Sequence, residues 1–157
     1  MRTQSTLSTE LQALVPTDNA VLAAQRLAQA YGDYMKDAEA NLIPIVAAAV
    51  DSTAVPAMAG SMTFSFAAAD GAAQILAGVG AFWTAVAAAP ATFFPGATIV
   101  TPPVFATLAA SLVANFASNT LSSNSLIDSV DAVATSLHTA TTGATATFPP
   151  AAPSAIL

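Results

Sequence analysis

The chain has 157 residues, of which 8% are charged and 55% hydrophobic, and nine acids against three Lys or Arg leave a net charge of −6. Ordinary soluble domains carry roughly 25% charged residues. The three cations, Arg2, Arg26 and Lys36, argue against a nucleic-acid partner, because phosphate contacts draw on Lys and Arg.

Length allows one domain with a modest core. Forty residues are alanine, so the chain is built from small, helix-favouring units rather than greasy blocks. From Gly71 to Ile127, 57 positions, there is no charge of either sign. A free monomer solvates its surface largely with charge. Here Ser, Thr, Asn and Ala must do that work, or much of the surface is covered by lipid or by other protein. There are no cysteines, hence no disulfide framework and no thiolate metal site. The first 16 residues lack an apolar core and include Glu10, so no Sec-type signal is expected.

In chain order, Leu7, Leu11 and Leu14 recur at helical spacing and predict a short N-terminal helix or arm over 1–16, ended by Pro16. Thr17 or Asp18 is placed to cap the next helix. That helix has Val21, Leu27, Tyr31, Tyr34, Ala38 and Leu42 along one face, and Pro44 kinks or terminates it. Residues 45–60 read as a transition punctuated by Pro56 and Gly60. A second helix runs to Ala89, beginning near Ser61 or at Asp70. Four prolines from Pro90 to Pro103 predict a non-helical crossover, a loop or a short extended segment. Further helices are predicted over 104–121 and 125–140. Residues 141–157, rich in Thr and Pro, predict an extended tail. The helical domain is thus expected over 17–140.

The uncharged Gly71–Ala89 raises the question of lipid against protein. Five strongly apolar side chains contribute about −1.5 to −3 kcal/mol toward insertion, opposed by Gln74, Thr84 and three glycines. No basic residue flanks the segment within 30 positions, and Phe82 and Trp83 lie at its middle. Burial against protein accounts for these facts with fewer exceptions.

Small residues also fall four apart in three lines. They are Ala69, Ala73, Ala77, Ala81, Ala85 and Ala89; Ala106, Ala110, Ala114 and Ser118; and Ala20, Ala24, Ala28 and Gly32. Such lines let helix backbones approach closely. Ala73, Ala77, Ala81, Ala85, Ala106, Ala110 and Ala114 are the expected packing seam.

No catalytic, cofactor or metal constellation stands out. His138 is the only histidine and reads as a helix-end polar residue. Asp128 and Asp131, at i and i+3, read as a solvated helix edge rather than as Ca²⁺ ligands. Phe93 and Phe94, beside Pro and Gly, are candidates to anchor in a neighbour's pocket. Phe148, Ile156 and Leu157 would let the tail dock on another subunit.

These features predict an all-α protein: three to four closely packed Ala-rich helices, as a helical bundle or hairpin, with a Pro-rich crossover loop and an extended C-terminal arm. The expected role is a non-enzymatic structural subunit of a large assembly, with a phage virion or phage-tail-like particle as first choice. Its partners would be protein subunits, like or unlike, with no cofactor, and the particle would assemble in the cytoplasm without a Sec signal. The alternative is a small helical membrane protein, holin-like or pore-forming.

Overall fold

Six helices pack in a closed circuit, each against the next, in a computed structural model that describes residues 3–14, 19–65, 70–121, 126–150 and 152–157. The side chains of 118–121 and 126–129 lie outside that description. The circuit runs α1 (Gln4–Gln12), α2 (Ala20–Lys36), α4 (Val55–Ser61), α5 (Gly71–Ala88), α7 (Phe105–Leu121) and α8 (Leu126–Thr141), and α8 returns to α1. The protein is mostly helical, with two small sheets.

Thr3 caps α1, its hydroxyl accepting from the Thr6 N–H, and Leu7 and Leu11 are buried. The expected stop at Pro16 and the caps Thr17 and Asp18 lie outside the described residues. The cap of α2 is Asn19, whose side-chain oxygen accepts from Leu22 N at 3.0 Å. Tyr31, Tyr34 and Met35 are wholly buried, whereas Val21 and Leu42, expected on the same face, are exposed. Leu42 is out because α2 ends at Lys36, well before Pro44, and Val21 stands at the exposed first turn of the helix. A two-residue turn reverses the chain at Asn41 and Leu42, with φ of 53° and 64°. It joins β1 (Glu39–Ala40) to β2 (Ile43–Pro44). Paired left-handed residues are what a tight hairpin requires, and Asn suits the first of them.

The transition expected over 45–60 is helical instead. α3 (Ala47–Ala49) runs through a π-helical turn (Val50–Ala54) into α4. Pro56 lacks an N–H and would crowd the carbonyl four residues back in a regular helix. The widened turn immediately before it lets the helix continue across it.

α5 begins after Asp70, as one of the two alternatives expected. Asp70 makes no cap to its own helix. Its carboxylate accepts from Ser65 N at 3.3 Å and Gln74 Nε2 at 3.0 Å, and Gln74 Oε1 accepts from Thr63 N at 2.7 Å. Together they tie the chain entering α5 to its first turns. The Pro-rich segment departs from expectation in one respect. Pro90 starts a single helical turn, α6 (Pro90–Phe93), because the first helical position needs no N–H. β3 (Ile99–Thr101) follows.

The tail is also structured. β4 (Thr145–Thr147) pairs with β3 and with β5 (Ser154–Ala155), in the antiparallel order β3-β4-β5. Beyond β5, Ile156 bridges to Ala40, and Glu39 and Leu157 exchange backbone hydrogen bonds at 2.9 and 2.8 Å. The arm therefore closes on its own chain.

Of the three small-residue lines, the one in α2 is buried: Ala24, Ala28 and Gly32 face inward. A Cβ on Gly32 would run into Val55 Cγ2 of α4. Gly32→Ala should therefore force α2 and α4 apart and cost about 1–3 kcal/mol, read as a lower urea midpoint. Gly80 on α5 is the opposite case, since a Cβ there meets nothing within 4 Å. Gly80→Ala should stabilise the chain by about 0.5–1 kcal/mol through helix propensity alone, seen as a higher Tm.

Candidate functional site: polar clusters inside, an uncharged face outside

The buried aromatic residues meet at the middle of the circuit. Phe82 packs edge-on against Tyr31, ring centroids 5.1 Å apart, and Trp83 lies 6.0 Å from Phe82. A directed hydrogen-bond chain crosses this centre. Trp83 Nε1 donates to Tyr31 Oη at 3.1 Å. The Thr141 hydroxyl donates to Leu137 O at 2.6 Å. Its oxygen therefore accepts from Tyr31, 2.8 Å away. One thread thus links α5, α2 and α8. Tyr31→Phe would deprive the buried Trp83 N–H of its acceptor, at a cost of about 1–3 kcal/mol. A double-mutant cycle with Thr141→Val should show coupling above about 0.5 kcal/mol, measured by urea denaturation.

His138 belongs to the same region. Its Nδ1 lies 2.6 Å from Tyr34 Oη, and the two rings meet edge-on at 6.0 Å. The histidine is thus half-buried and hydrogen-bonded to a structural tyrosine rather than presented beside a nucleophile. Asp131 Oδ1 accepts from Ser8 Oγ and from Gln12 Nε2, the latter at 3.0 Å, tying α8 to α1. The side chain of Asp128, its expected companion, lies outside the described residues. Asn115 of α7 donates to Ala132 O at 3.0 Å and Ser136 Oγ at 2.9 Å on α8.

At the surface, Lys36 Nζ sits 2.7 Å from both Asp33 and Asp51. These hydrogen bonds raise the Lys36 amine above its ordinary value, and that from Lys36 holds the Asp51 carboxyl below its own. The associated stability is present above the ordinary carboxylate value and below the ordinary amine value. It fades as pH falls through the lowered Asp51 value or rises through the raised Lys36 value. Exposure keeps it small. Among the described residues no three His, Cys, Asp or Glu side chains converge on a point.

The candidate interaction residues are placed as follows. Phe93 and Phe94 are wholly buried, Phe148 and Ile156 nearly or wholly so, and only Leu157 is exposed. The first four pack within the chain's own core rather than projecting from it. Their physical reason is that α6 and the β3-β4-β5 sheet fold over the ends of the helices and need apolar undersides.

The seam alanines lie on the other side. On α5 the buried residues are Ile75, Gly78, Val79, Phe82, Trp83 and Val86. Ala73 and Ala77 are exposed, and Ala81 and Ala85 half-buried. On α7, Leu108 and Leu112 are buried, while Ala106, Ala110, Val113, Ala114 and Ala117 are exposed. The two helices pack side by side, so their outer sides form one uncharged surface. Val104 and Val113, 73% and 61% exposed, were not singled out from sequence. The available signal is that α7 is uncharged all round, with Leu108 and Leu112 opposite Ala106, Ala110 and Val113.

An apolar cleft of about 400 Å³ lies between α2, α5 and α7, lined by Leu14, Leu27, Phe64, Ile75 and Phe116 among others. Comparison of the chain with protein-family models, curated proteins and solved structures gives no match.

Proposed function

We propose that the chain is a structural subunit of a large protein assembly, working by helix packing between subunits and carrying out no chemistry. The observation that carries this reading is the uncharged outer face of α5 and α7. In a chain with three cations and nine acids, one stretch of 57 residues without charge supplies two neighbouring helices. Those helices turn Ala73, Ala77, Ala106, Ala110, Val113 and Ala114 to solvent. Large exposed apolar areas mark surfaces that meet something else. Within the fold we read a compact helical bundle, its C-terminal arm serving the chain's own closure. The proposed setting, a phage virion or phage-tail-like particle, rests on composition: small, charge-poor, Ala- and Thr-rich subunits suit a surface that is mostly covered.

A second reading has its own observation. Gly71–Ala88 is the one described helix long and apolar enough to cross a bilayer by length and composition. Against it, Phe82, Trp83, Val79 and Val86 of that helix are wholly buried within the chain, so one side is already occupied by protein.

The deciding experiment is fractionation of the expressed chain, followed by light scattering in detergent-free buffer. Recovery in the soluble fraction without detergent supports the subunit. Recovery only from membranes, with detergent required throughout, overturns it in favour of the membrane protein.

A further inference from the structure

We propose that the outer face of α5 and α7 is where two copies of this chain meet. The inference rests on the subunit reading and adds to it the identity of the first partner.

Three observations converge on that face. The first is charge. In a two-fold contact a surface meets its own copy, so any cluster of one sign faces like charge. The acids Glu10, Asp33, Asp37, Glu39 and Asp51 sit on or beside α1, α2, β1 and the π-helical turn. The faces carrying them would repel their twins in a chain of net charge −6. The α5–α7 face carries no charge, so its electrostatics permit pairing with itself. It also gives an unlike partner no charge pattern to recognise.

The second observation is the distribution of large exposed apolar side chains. Of the seven among the described residues, three fall between Ile99 and Val113, namely Ile99, Val104 and Val113. Ile99 and Val104 stand at the entry to α7, and Val113 on its outward side. They supply bulk around the alanines, so that two helices can approach closely at Ala106, Ala110 and Ala114 while larger groups interlock beside them.

The third is size. α5 has 18 residues and α7 has 17. Side by side, the part whose side chains are described presents roughly 25 Å by 20 Å, or about 500 Å² per copy. A pair would bury about 1,000 Å², the extent at which specific interfaces begin.

The chain has no cysteine, which gives a clean test. The wild-type mass is measured by light scattering across a concentration series. Single variants Ala110→Cys and Val113→Cys are then oxidised beside Ala48→Cys, an exposed position on α3. The expected result is a mass near twice the chain's 15.6 kDa. Covalent dimers of Ala110→Cys or Val113→Cys should form at least about 10-fold faster than those of Ala48→Cys, because sulfurs held across a contact react at a high effective concentration. Ala110→Glu should weaken the dimer by about 100-fold with the helical content of the chain unchanged, since it puts like charges face to face. A monomer at every concentration would overturn the inference, whereas the subunit reading would survive with unlike partners. An oligomer that cross-links only through Ala48→Cys would also overturn it, again leaving the subunit reading intact. A need for detergent would overturn both, because lipid would then be what covers this face.

Discussion

Phe82→Ala is expected to remove about 3–5 kcal/mol of stability, a large share of the roughly 5–15 kcal/mol that holds a domain of this kind together. Phe82 is wholly buried and is the one ring in contact with both Tyr31 and Trp83. Truncating it leaves a void between α5 and α2 that the surrounding rings are too rigid to fill. Trp83 is the only tryptophan, so urea denaturation followed by its emission reports on this site directly. A loss below about 1 kcal/mol would show that the centre of the molecule is loosely packed.

Ile156→Ala is expected to cost about 2–5 kcal/mol, although it is the next-to-last residue of the sequence. Ile156 has no exposed surface, bridges to Ala40 and donates its N–H to Ala144 O at 3.0 Å. The variant should lose stability while leaving any pairing through α7 intact. A docking arm would behave in the reverse way, with assembly lost and the urea midpoint unchanged. Measuring both quantities on one variant separates the two roles.

The contrast at Ile156 shows how far the sequence could be read. The long helices were legible because their apolar positions recur at threes and fours and their ends carry caps or prolines. α7 and α8 form close to where that pattern places them, and α2 starts there but stops at Lys36, short of Pro44. The strands were not legible, because elements of two or three residues leave no periodicity. Apart from the local β1-β2 hairpin, the pairing that holds the tail includes partners far away in the chain: Ile99 with Thr147, Ala40 with Ile156. Residues 45–60 look like a break in the sequence because Pro56 and Gly60 are ordinary helix breakers, and the widened turn that carries the helix across Pro56 leaves no sequence signal.

The outer face was half legible. A line of alanines four apart looks the same whether it points inward or outward, since Ala is at home in both places. Ala24 and Ala28 went in, while Ala106, Ala110 and Ala114 stayed out. What separates the lines is their neighbours. Tyr31, Tyr34 and Met35 draw the α2 line toward the core, whereas the bulk of α5 and α7 lies opposite their alanines. The hydrogen-bond thread through Trp83, Tyr31 and Thr141 had no sequence signal, because it joins residues up to 110 positions apart.

The closed circuit of helices has a dynamic consequence. An open stack of helices has two end units, each touching one neighbour, and such ends fray first. Here α8 packs on α1, so each of the six helices has a neighbour on both sides. To swing any one outward, two contacts must open together, and the Trp83–Tyr31–Thr141 thread couples three of the six. Backbone amides buried in these helices are therefore protected as one cooperative unit rather than as a gradient from centre to edge. A chain closed in this way holds the outer face of α5 and α7 in one shape.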